Sequence, residues 1–251
     1  NSHAIFFFFS KLMSAINTHK SNMADVGAGD TSDKADAWKY DNASGNIDST
    51  VIGDWKKSDD VYIIKLSNTS NKVRKIKFLS EDLFQFKFEV ADLPAAVPTV
   101  ITLPKRAQYN YTYFSFDFLA EVPDVEPNKE SWDLQVTLYN YTFYDQNPIL
   151  PYVVNGVLLN PTGTTAYKDS ITPYNSINAD FALAMPLSNH KDVIGFDWKK
   201  YDIDKNLYTV DSRYNYIVKT KSDSYYKLRF LDFYSASGIK GSPKFEFLQL
   251  K

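Results

Sequence analysis

Three histidines are the residues of this 251-residue chain best suited to acid–base chemistry. His3 and His19 fall near the start of the chain, and His190 lies in the polar segment PLSNHKDVIG. A histidine-based catalytic triad would have to use His190, because such a histidine must be held beside a nucleophile and a carboxylate. The segment has the composition of a solvated loop, so we interpret His190 as a loop residue rather than a catalytic base.

Paired acidic residues are the second possible source of chemistry. Asp202 with Asp204, and Asp124 with Glu126, stand in turn-like segments, where acidic residues normally form turns or face solvent. The sequence contains no G-x-S-x-G, H-E-x-x-H, P-loop or G-x-G-x-x-G motif, and it contains no cysteine. We therefore expect a non-enzymatic protein without a metal site of its own.

Composition limits the class of protein. With 28 basic and 30 acidic residues, the chain lacks the positive field that binding to nucleic acid requires. A hydrophobic content of 44% and an aromatic content of 16% allow a substantial core. The 18 Tyr and 18 Phe favour strands, because aromatic side chains pack well on pleated surfaces. These features predict a folded, mainly β protein.

Residues 1–50 are predicted to be a partial N-terminal segment with a strand, a short helix and a polar loop. The apolar run from Ala4 to Phe9 is too short to cross a bilayer, which takes about 20 residues, so we interpret it as a strand. The segment SKLMSAINTHKSNMADVG suggests one or two helical turns, and a polar, Asp- and Ser-rich stretch follows. We expect the chain to begin partway into a larger protein.

Alternating apolar residues predict the strands. LFQFKFEV places Phe84, Phe86, Phe88 and Val90 on one face at period two, and similar segments follow to the end of the chain. The best helix candidate is SINADFALAMP, with Ser176 as N-cap and a proline at its end. The expected fold is all-β, an antiparallel β-sandwich or curled sheet with one or two short helices.

One phrase occurs twice. VIGDWKK starts at Val51 and VIGFDWKK starts at Val193, and each precedes a hairpin pattern that ends in KIKFL or KLRFL. We interpret the repeats, near residues 51–79 and 193–231, as a duplicated hairpin unit within one all-β domain of residues 51–251. Trp55 and Trp198 hold the same place in the two copies, which favours core anchors over sugar-stacking platforms. We expect the hairpins to pair their apolar faces in a single core.

The segments YFSFDF, SWDLQVTLYNYTFY, PYVVNGVLLNP, VIGFDWKKYD and the C-terminal strand–turn–strand resemble the HmuY-like family of surface lipoproteins from Bacteroidota. The resemblance covers most of the chain from Asp54 to Leu250. It implies an all-β fold, export, and anchoring at the outer membrane through an N-terminal lipid-bearing cysteine that is absent from this chain. It also implies haem binding and delivery of haem to a TonB-dependent outer-membrane receptor.

The resemblance also implies where haem ligands should lie. The founding member of the family holds the iron with two loop histidines, and other members use methionines. Where the second histidine would fall, this sequence reads FDWKKYDIDKN and offers Tyr201, and the nearest alternatives are His190 and Met185. All three side-chain types serve as axial haem ligands. Each residue also has a purely structural interpretation. Tyr201 can be a strand-edge aromatic, His190 a loop residue, and Met185 a packing residue at the end of a helix.

Two other functions fit the same scaffold. A non-enzymatic accessory lipoprotein of an outer-membrane transport or assembly complex would show an exposed apolar patch and no haem affinity. Glycan binding would require a row of solvent-facing Tyr and Trp side chains. The apolar stretch YDQNPILPYVVNGVLLNPTGTTAYKDS suits a hairpin that covers a ligand or docks a partner.

Overall fold

The computed structural model describes residues 4–7, 13–32, 38–46, 50–66, 73–94 and 97–251. These ranges are mostly strands in antiparallel sheets with two short α-helices, which confirms the predicted all-β class. The chain divides into two compact units, one made of Asn1–Glu130 and Tyr139–Val153, the other of Ser131–Leu138 and Val154–Lys251. The predicted division after residue 50 falls inside the first unit, where strands from either side of that position pair.

The first unit contains two sheets. Its elements are β1 (Ala4–Phe7), β2 (Met13–Asn17), α1 (Gly29–Ser32), β3 (Lys39–Tyr40), β4 (Val61–Leu66), β5 (Val73–Glu81), β6 (Gln85–Asp92), β7 (Thr99–Pro104), β8 (Tyr111–Ser115) and β9 (Ala120–Glu121), with 3-10 helices at Met23–Asp25 and Trp55–Lys57. One sheet has the order β3-β2-β4-β5-β6-β7, and the other has the order β1-β8-β9 with β1 parallel to β8. The predicted N-terminal strand is thus present at Ala4–Phe7, and its last two residues lie outside the described ranges.

The remaining strands form three further sheets. The elements are β10 (Leu134–Phe143), β11 (Leu150–Leu159), β12 (Thr165–Asp169), α2 (Ala179–Ala184), β13 (Lys199–Asp202), β14 (Leu207–Val210), β15 (Asn215–Lys219), β16 (Tyr225–Tyr234) and β17 (Lys240–Leu250), with a 3-10 helix at Tyr174–Ser176. β10 pairs with β11, β13 pairs with β14, and a four-stranded sheet has the order β12-β15-β16-β17.

The duplicated sequence folds into equivalent strands. The order β2-β4-β5-β6 in the first unit matches β12-β15-β16-β17 in the second, and all these pairs are antiparallel. In the hairpins, Tyr62 lies opposite Ile76, and Tyr216 lies opposite Leu228. The duplication therefore includes a strand before each hairpin that shows little sequence similarity.

The fourth strand of each copy, β6 in the first and β17 in the second, is also equivalent. A bulge follows Phe78 in β5, and a bulge follows Phe230 in β16. Beside these bulges, residues 87–89 of β6 and residues 244–246 of β17 both read Lys-Phe-Glu. The phenylalanines of these triplets lie opposite Phe78 and Phe230, respectively. The repeat is thus a four-stranded unit rather than a hairpin alone.

Stacked aromatic rings anchor each copy. The Trp55 ring stacks on Phe78 at 5.1 Å between ring centroids, and the Trp198 ring stacks on Phe230 at 3.9 Å. Tyr62 contacts Phe78 edge-on in the first hairpin, and Tyr216 contacts Phe230 edge-on in the second. Trp198 is fully buried, whereas Trp55 is partly exposed at the side of its cluster. The predicted role of these two tryptophans as anchors agrees with this packing.

Each hairpin packs in the hydrophobic cluster of its own unit, so the expectation of one shared core is wrong. Ile64 and Ile76 pack with side chains of β6, β7 and β8 in the first unit. Val218 and Leu228 pack with side chains of β11 and with Trp198 in the second. Because each sheet finds enough apolar surface within its own unit, the duplication produced two cores.

A buried lysine tethers a 3-10 helix to the sheet in each copy. Lys75 and Lys227 start the matching KIKFL and KLRFL segments, and both side chains are buried. Each ammonium donates to two backbone carbonyls three residues apart along the 3-10 helix that follows β2 or β12. The Nζ–O distances are 2.6 Å to Met23 and 2.9 Å to Val26 from Lys75, and 2.9 Å to Tyr174 and 3.0 Å to Ile177 from Lys227. Burying a charge is tolerated here because the ammonium is hydrogen-bonded.

Two local predictions are wrong in part. Phe84 is exposed, because it precedes β6 in a turn where the Asp82 carboxylate accepts hydrogen bonds from the N–H groups of Phe84 and Gln85. The other three residues of that predicted face are buried. The helical turn predicted to end near Gly27 is present at Met23–Asp25, but the earlier part of the same segment, Met13–Asn17, is a strand because it pairs with β4.

Candidate functional site

Met185 terminates helix α2. The helix begins at Asn178, whose side-chain oxygen accepts a hydrogen bond from the N–H of Phe181 at 2.9 Å, so the predicted N-cap at Ser176 is wrong. Ser176 belongs to the preceding 3-10 helix. The N–H of Met185 donates to the carbonyl of Ala182, and Pro186 follows, which ends the helix as predicted. The Met185 side chain is partly exposed and is therefore accessible to a ligand.

His190 lies on a loop that is held to the sheets on both sides. Ser188 exchanges two backbone hydrogen bonds with Ala166 of β12, and the carbonyl of Lys191 accepts from Leu159 of β11 at 2.7 Å. The hydroxyl of Ser188 also accepts a hydrogen bond from the N–H of His190 at 3.1 Å. The imidazole is exposed. Its side chain makes no hydrogen bond or ion pair within the described residues, so both ring nitrogens are open to a ligand.

The glycine of the repeated phrase completes this anchoring. Gly195 exchanges backbone hydrogen bonds with Val157 of β11. A Cβ atom on Gly156 would lie 2.5 Å from the carbonyl oxygen of Gly195, a distance that backbone atoms cannot accept. Gly156 is therefore needed for the loop to approach β11.

Tyr201 lies on β13 at the edge of its hairpin. Its hydroxyl donates to the side-chain oxygen of Asn206, and its ring lies 4.8 Å from the ring of Tyr208 between centroids. Almost half of the residue is exposed. A phenolate ligand at this position would have to give up the hydrogen bond to Asn206.

The three predicted ligands do not form a preassembled pair. No hydrogen bond or ring contact within the described residues joins any two of Met185, His190 and Tyr201. Their common features are an accessible side chain and a position next to the anchored segment between α2 and β13. Among the described residues, no group of three or more His, Asp or Glu side chains is arranged to hold a metal ion.

A buried lysine lies at the end of this segment. Lys199 follows Trp198, and its ammonium lies 4.3 Å from the Trp198 ring centroid and 4.6 Å from that of Phe233. It also donates to the backbone carbonyls of Asn155 and Phe196. These contacts combine cation–π attraction with hydrogen bonding and fix the start of β13.

Lys199 gives a pH dependence that can be measured. Burial lowers its pKa from 10.5 to about 8, and the charge of Asp197 partly opposes the shift. Between these values the unfolded chain holds a proton that the folded chain has lost, so the contribution of Lys199 to stability rises with pH. We compare the free energy of unfolding of the wild type with that of Lys199→Met. The difference, wild type minus variant, is expected to increase by up to about 1.4 kcal/mol per pH unit across this window. Urea unfolding at several pH values measures the gain, and a constant difference would contradict it.

Sequence reasoning missed a half-buried acid near His190. Burial raises the pKa of the Asp192 carboxyl, and the nearby charges of His190 and Lys191 oppose that rise. Nothing in the local segment HKD indicates that this aspartate is half-buried.

The first unit contains a small cleft lined by tyrosines. Tyr109, Tyr111 and Tyr113 line it together with Arg106 and Glu126, and its enclosed volume is only about 10 Å³. Glu126 is buried, contrary to its predicted place in a solvated turn, and burial raises its pKa. Its carboxylate accepts a hydrogen bond from the N–H of Tyr111 at 2.8 Å, which explains why the fold tolerates it. Sites for drug-sized ligands have volumes of about 300–1,000 Å³, so this cleft is too small for haem.

The other acidic pair behaves as predicted. The carboxylate of Asp202 accepts a hydrogen bond from the N–H of Lys205 in the turn between β13 and β14. This bond lowers the pKa of Asp202 and identifies it as a turn-forming residue.

Comparison with protein families gives a match over part of the chain. The family described as HmuY protein matches residues 151–247, which extend from β11 into β17 and include Met185, His190 and Tyr201. Searches of curated proteins and of solved structures give no match. Within the described residues, no helix is long and apolar enough to span a membrane.

Proposed function

We propose that this HmuY-like protein is a non-enzymatic surface lipoprotein of the outer membrane that binds haem and delivers it to a TonB-dependent receptor. The observation that carries the proposal is the family match over residues 151–247, because it includes every candidate haem ligand. The HmuY family is associated with haem binding and with the cell surface. The lipid anchor, the outer-membrane location and the receptor are parts of the proposal that follow from the family.

His190 is the residue that we assign as the first axial ligand. Its imidazole is exposed, and the backbone hydrogen bonds of Ser188 and Lys191 limit the movement of the loop. An exposed ligand on a constrained loop can reach a bound porphyrin at a small entropic cost. When bound, haem supplies the iron centre, and the protein supplies the ligand and the surrounding surface.

Met185 and Tyr201 are the two candidates for the second axial position. The Met185 thioether is partly exposed directly after α2, and no hydrogen bond has to be broken to release it. The Tyr201 hydroxyl is held by Asn206, but its ring and that of Tyr208 offer an aromatic surface against which a porphyrin can pack. Met185 therefore suits ligation of the iron, and Tyr201 suits packing against the porphyrin.

A haemin titration followed by visible absorption tests the proposal. We expect a saturable Soret change for the wild type and a loss of affinity of roughly tenfold or more for His190→Ala, since a lost axial ligand weakens the hold on iron. Met185→Ala and Tyr201→Phe identify the second ligand, because only the correct variant changes the spectrum of the bound haem.

His19→Ala is the matched control. His19 is also an exposed histidine, but it lies in the first unit near Asp60. The proposal requires that this variant bind haemin like the wild type. An absence of saturation in the wild type, or equal effects of His19→Ala and His190→Ala, would contradict the assignment.

A second function has a specific observation in its favour. Residues 139–153 of the β10–β11 hairpin, which belong to the first unit, carry exposed apolar side chains, namely Ile149, Leu150 and Tyr152. Exposed apolar surface of this kind is typical of protein-binding faces. An accessory lipoprotein of an outer-membrane complex would use this hairpin for docking and would give no saturable Soret change with haemin.

A further inference from the structure

The duplicated units allow β17 to be compared with its equivalent, β6. Phe245 of β17 lies opposite Phe230, as Phe88 of β6 lies opposite Phe78. The next residue on the same face of the strand is Phe247 in β17, and its equivalent in β6 is Val90. Both strands therefore present an apolar row on the face that carries the stacked tryptophan.

The two apolar rows differ in exposure. Phe88 and Val90 are 0% and 2% exposed, whereas Phe245 and Phe247 are 41% and 61% exposed. The phenyl rings of Phe245 and Phe247 lie 6.2 Å apart and continue a row that starts at Phe230. An aromatic row exposed to this degree indicates a surface that a partner covers.

Strand β7 contributes to the cover of this row in the first unit. It pairs antiparallel with β6, and it places Ile101 opposite Phe88 and Leu103 opposite Phe86. All four of these side chains are buried in one cluster. In the second unit, β17 pairs with β16 alone among the described strands, so its outer edge is open. An open edge presents unpaired backbone N–H and C=O groups to any extended chain.

We propose that the open edge of β17 binds a short extended segment of a partner protein, which pairs antiparallel and covers Phe245 and Phe247 as β7 covers β6. The segment would place aliphatic or β-branched side chains at alternating positions on the aromatic face, like Ile101 and Leu103. The pairing would occur along the part of β17 that follows the bulges, from Phe245 to Leu250.

Charge favours a different protein over a second copy of this chain. β17 begins at Lys240, and Lys251 follows its last residue. A full antiparallel pairing of two β17 strands would place Lys240 of each copy close to Lys251 of the other, and like charges at a sheet edge oppose pairing. Acidic residues flanking the partner segment would instead be attracted to both lysines and to Lys244.

The test uses a peptide that copies the strand already performing this role in the first unit. A fluorescein-labelled peptide with the β7 sequence Thr99–Pro104 and a glutamate added at each end is titrated against the full chain, with fluorescence anisotropy as readout. We expect saturable binding that weakens by roughly tenfold or more in Phe247→Lys, because the substitution removes an anchor from the interface. A peptide carrying Ile101→Asn and Leu103→Asn is expected to bind equally weakly.

Phe118→Lys is the matched control, since Phe118 is a highly exposed phenylalanine of the first unit. This variant should bind the peptide like the wild type. Hydrogen exchange adds a readout independent of the label, with amides of residues 245–250 expected to gain protection when the peptide binds. Near-UV circular dichroism verifies that Phe247→Lys is folded.

Three results would overturn the proposal. The first is equal binding of the wild type and folded Phe247→Lys. The second is the absence of saturable binding and of protection in β17. The third is a concentration-dependent dimer, seen by analytical ultracentrifugation, that Phe247→Lys abolishes, because a second copy would then be the occupant of the edge. None of these results depends on haem binding.

Discussion

Replacement of Trp198 by alanine is expected to lower the free energy of unfolding of the second unit by about 3–5 kcal/mol, the usual cost of removing a buried tryptophan. The ring is fully buried, stacks on Phe230 at 3.9 Å and meets Phe233 edge-on. Its indole N–H also donates to the carbonyl of Gly195 at 3.2 Å, so the substitution removes a hydrogen bond from the anchored loop. Hydrogen exchange measured by mass spectrometry reports this loss for the amides of the second unit.

The equivalent substitution in the first unit provides the comparison. Trp55 stacks on Phe78 at the larger centroid distance of 5.1 Å and is partly exposed, so Trp55→Ala should cost less in its own unit. If Trp55→Ala destabilises the first unit as much as Trp198→Ala destabilises the second, burial and stacking do not determine the strength of the two anchors.

Replacement of Lys227 by methionine is expected to destabilise the second unit by about 2–4 kcal/mol. Methionine retains much of the apolar length of the side chain, but it leaves the carbonyls of Tyr174 and Ile177 without their charged donor. Hydrogen bonds to charged groups contribute about 1.5–3 kcal/mol each, and a carbonyl left without a donor in the interior adds a desolvation cost. Hydrogen exchange of the 3-10 helix Tyr174–Ser176 should show the largest loss of protection.

Two further variants test this explanation. Lys75→Met should have a similar effect on the 3-10 helix Met23–Asp25, because Lys75 makes the same pair of contacts there. Lys240→Met alters an exposed lysine at the start of β17 and should change stability by less than about 0.5 kcal/mol. Unchanged protection of the 3-10 helix in Lys227→Met would show that the lysine does not hold it.

The parts of the fold that sequence predicts are those where local pattern and burial agree. Strict alternation identified Phe86 and Phe88 as buried, and the repeated phrase identified Trp55 and Trp198 as anchors. Phe84 continues the alternation but is exposed, because the Asp82 turn precedes the first strand residue. Alternation alone does not show where a strand begins.

The fourth strand of the repeat, β6 or β17, shows a second limit. Residues 87–89 and 244–246 share Lys-Phe-Glu, but the connection before the second copy is longer than the one before the first. A search at fixed spacing after the hairpins therefore does not find them. The equivalence follows only from the strand register, which places Phe88 opposite Phe78 and Phe245 opposite Phe230. Pairing between distant segments cannot be read from local sequence.

The candidate site was predictable in part. The resemblance to the HmuY-like family, together with residue type, indicated Met185, His190 and Tyr201 as possible ligands, and all three side chains are accessible. The backbone hydrogen bonds that hold the His190 loop to β11 and β12 have no signature in the sequence, because backbone groups of any residue can form them. The burial of Glu126 was not foreseen either, because it depends on a hydrogen bond from Tyr111, which lies 15 residues earlier in the chain.

Hydrogen exchange of the full chain with and without haemin tests the central claim most directly, because it shows where haem binds without relying on a substitution. The proposed function predicts that haemin protects amides of residues 185–201 in the unit that matches the HmuY family. It also predicts no change in residues 109–126, which line the small tyrosine cleft. Protection confined to the first unit, or no protection anywhere at saturating haemin, would contradict the assignment of haem binding to residues 151–247.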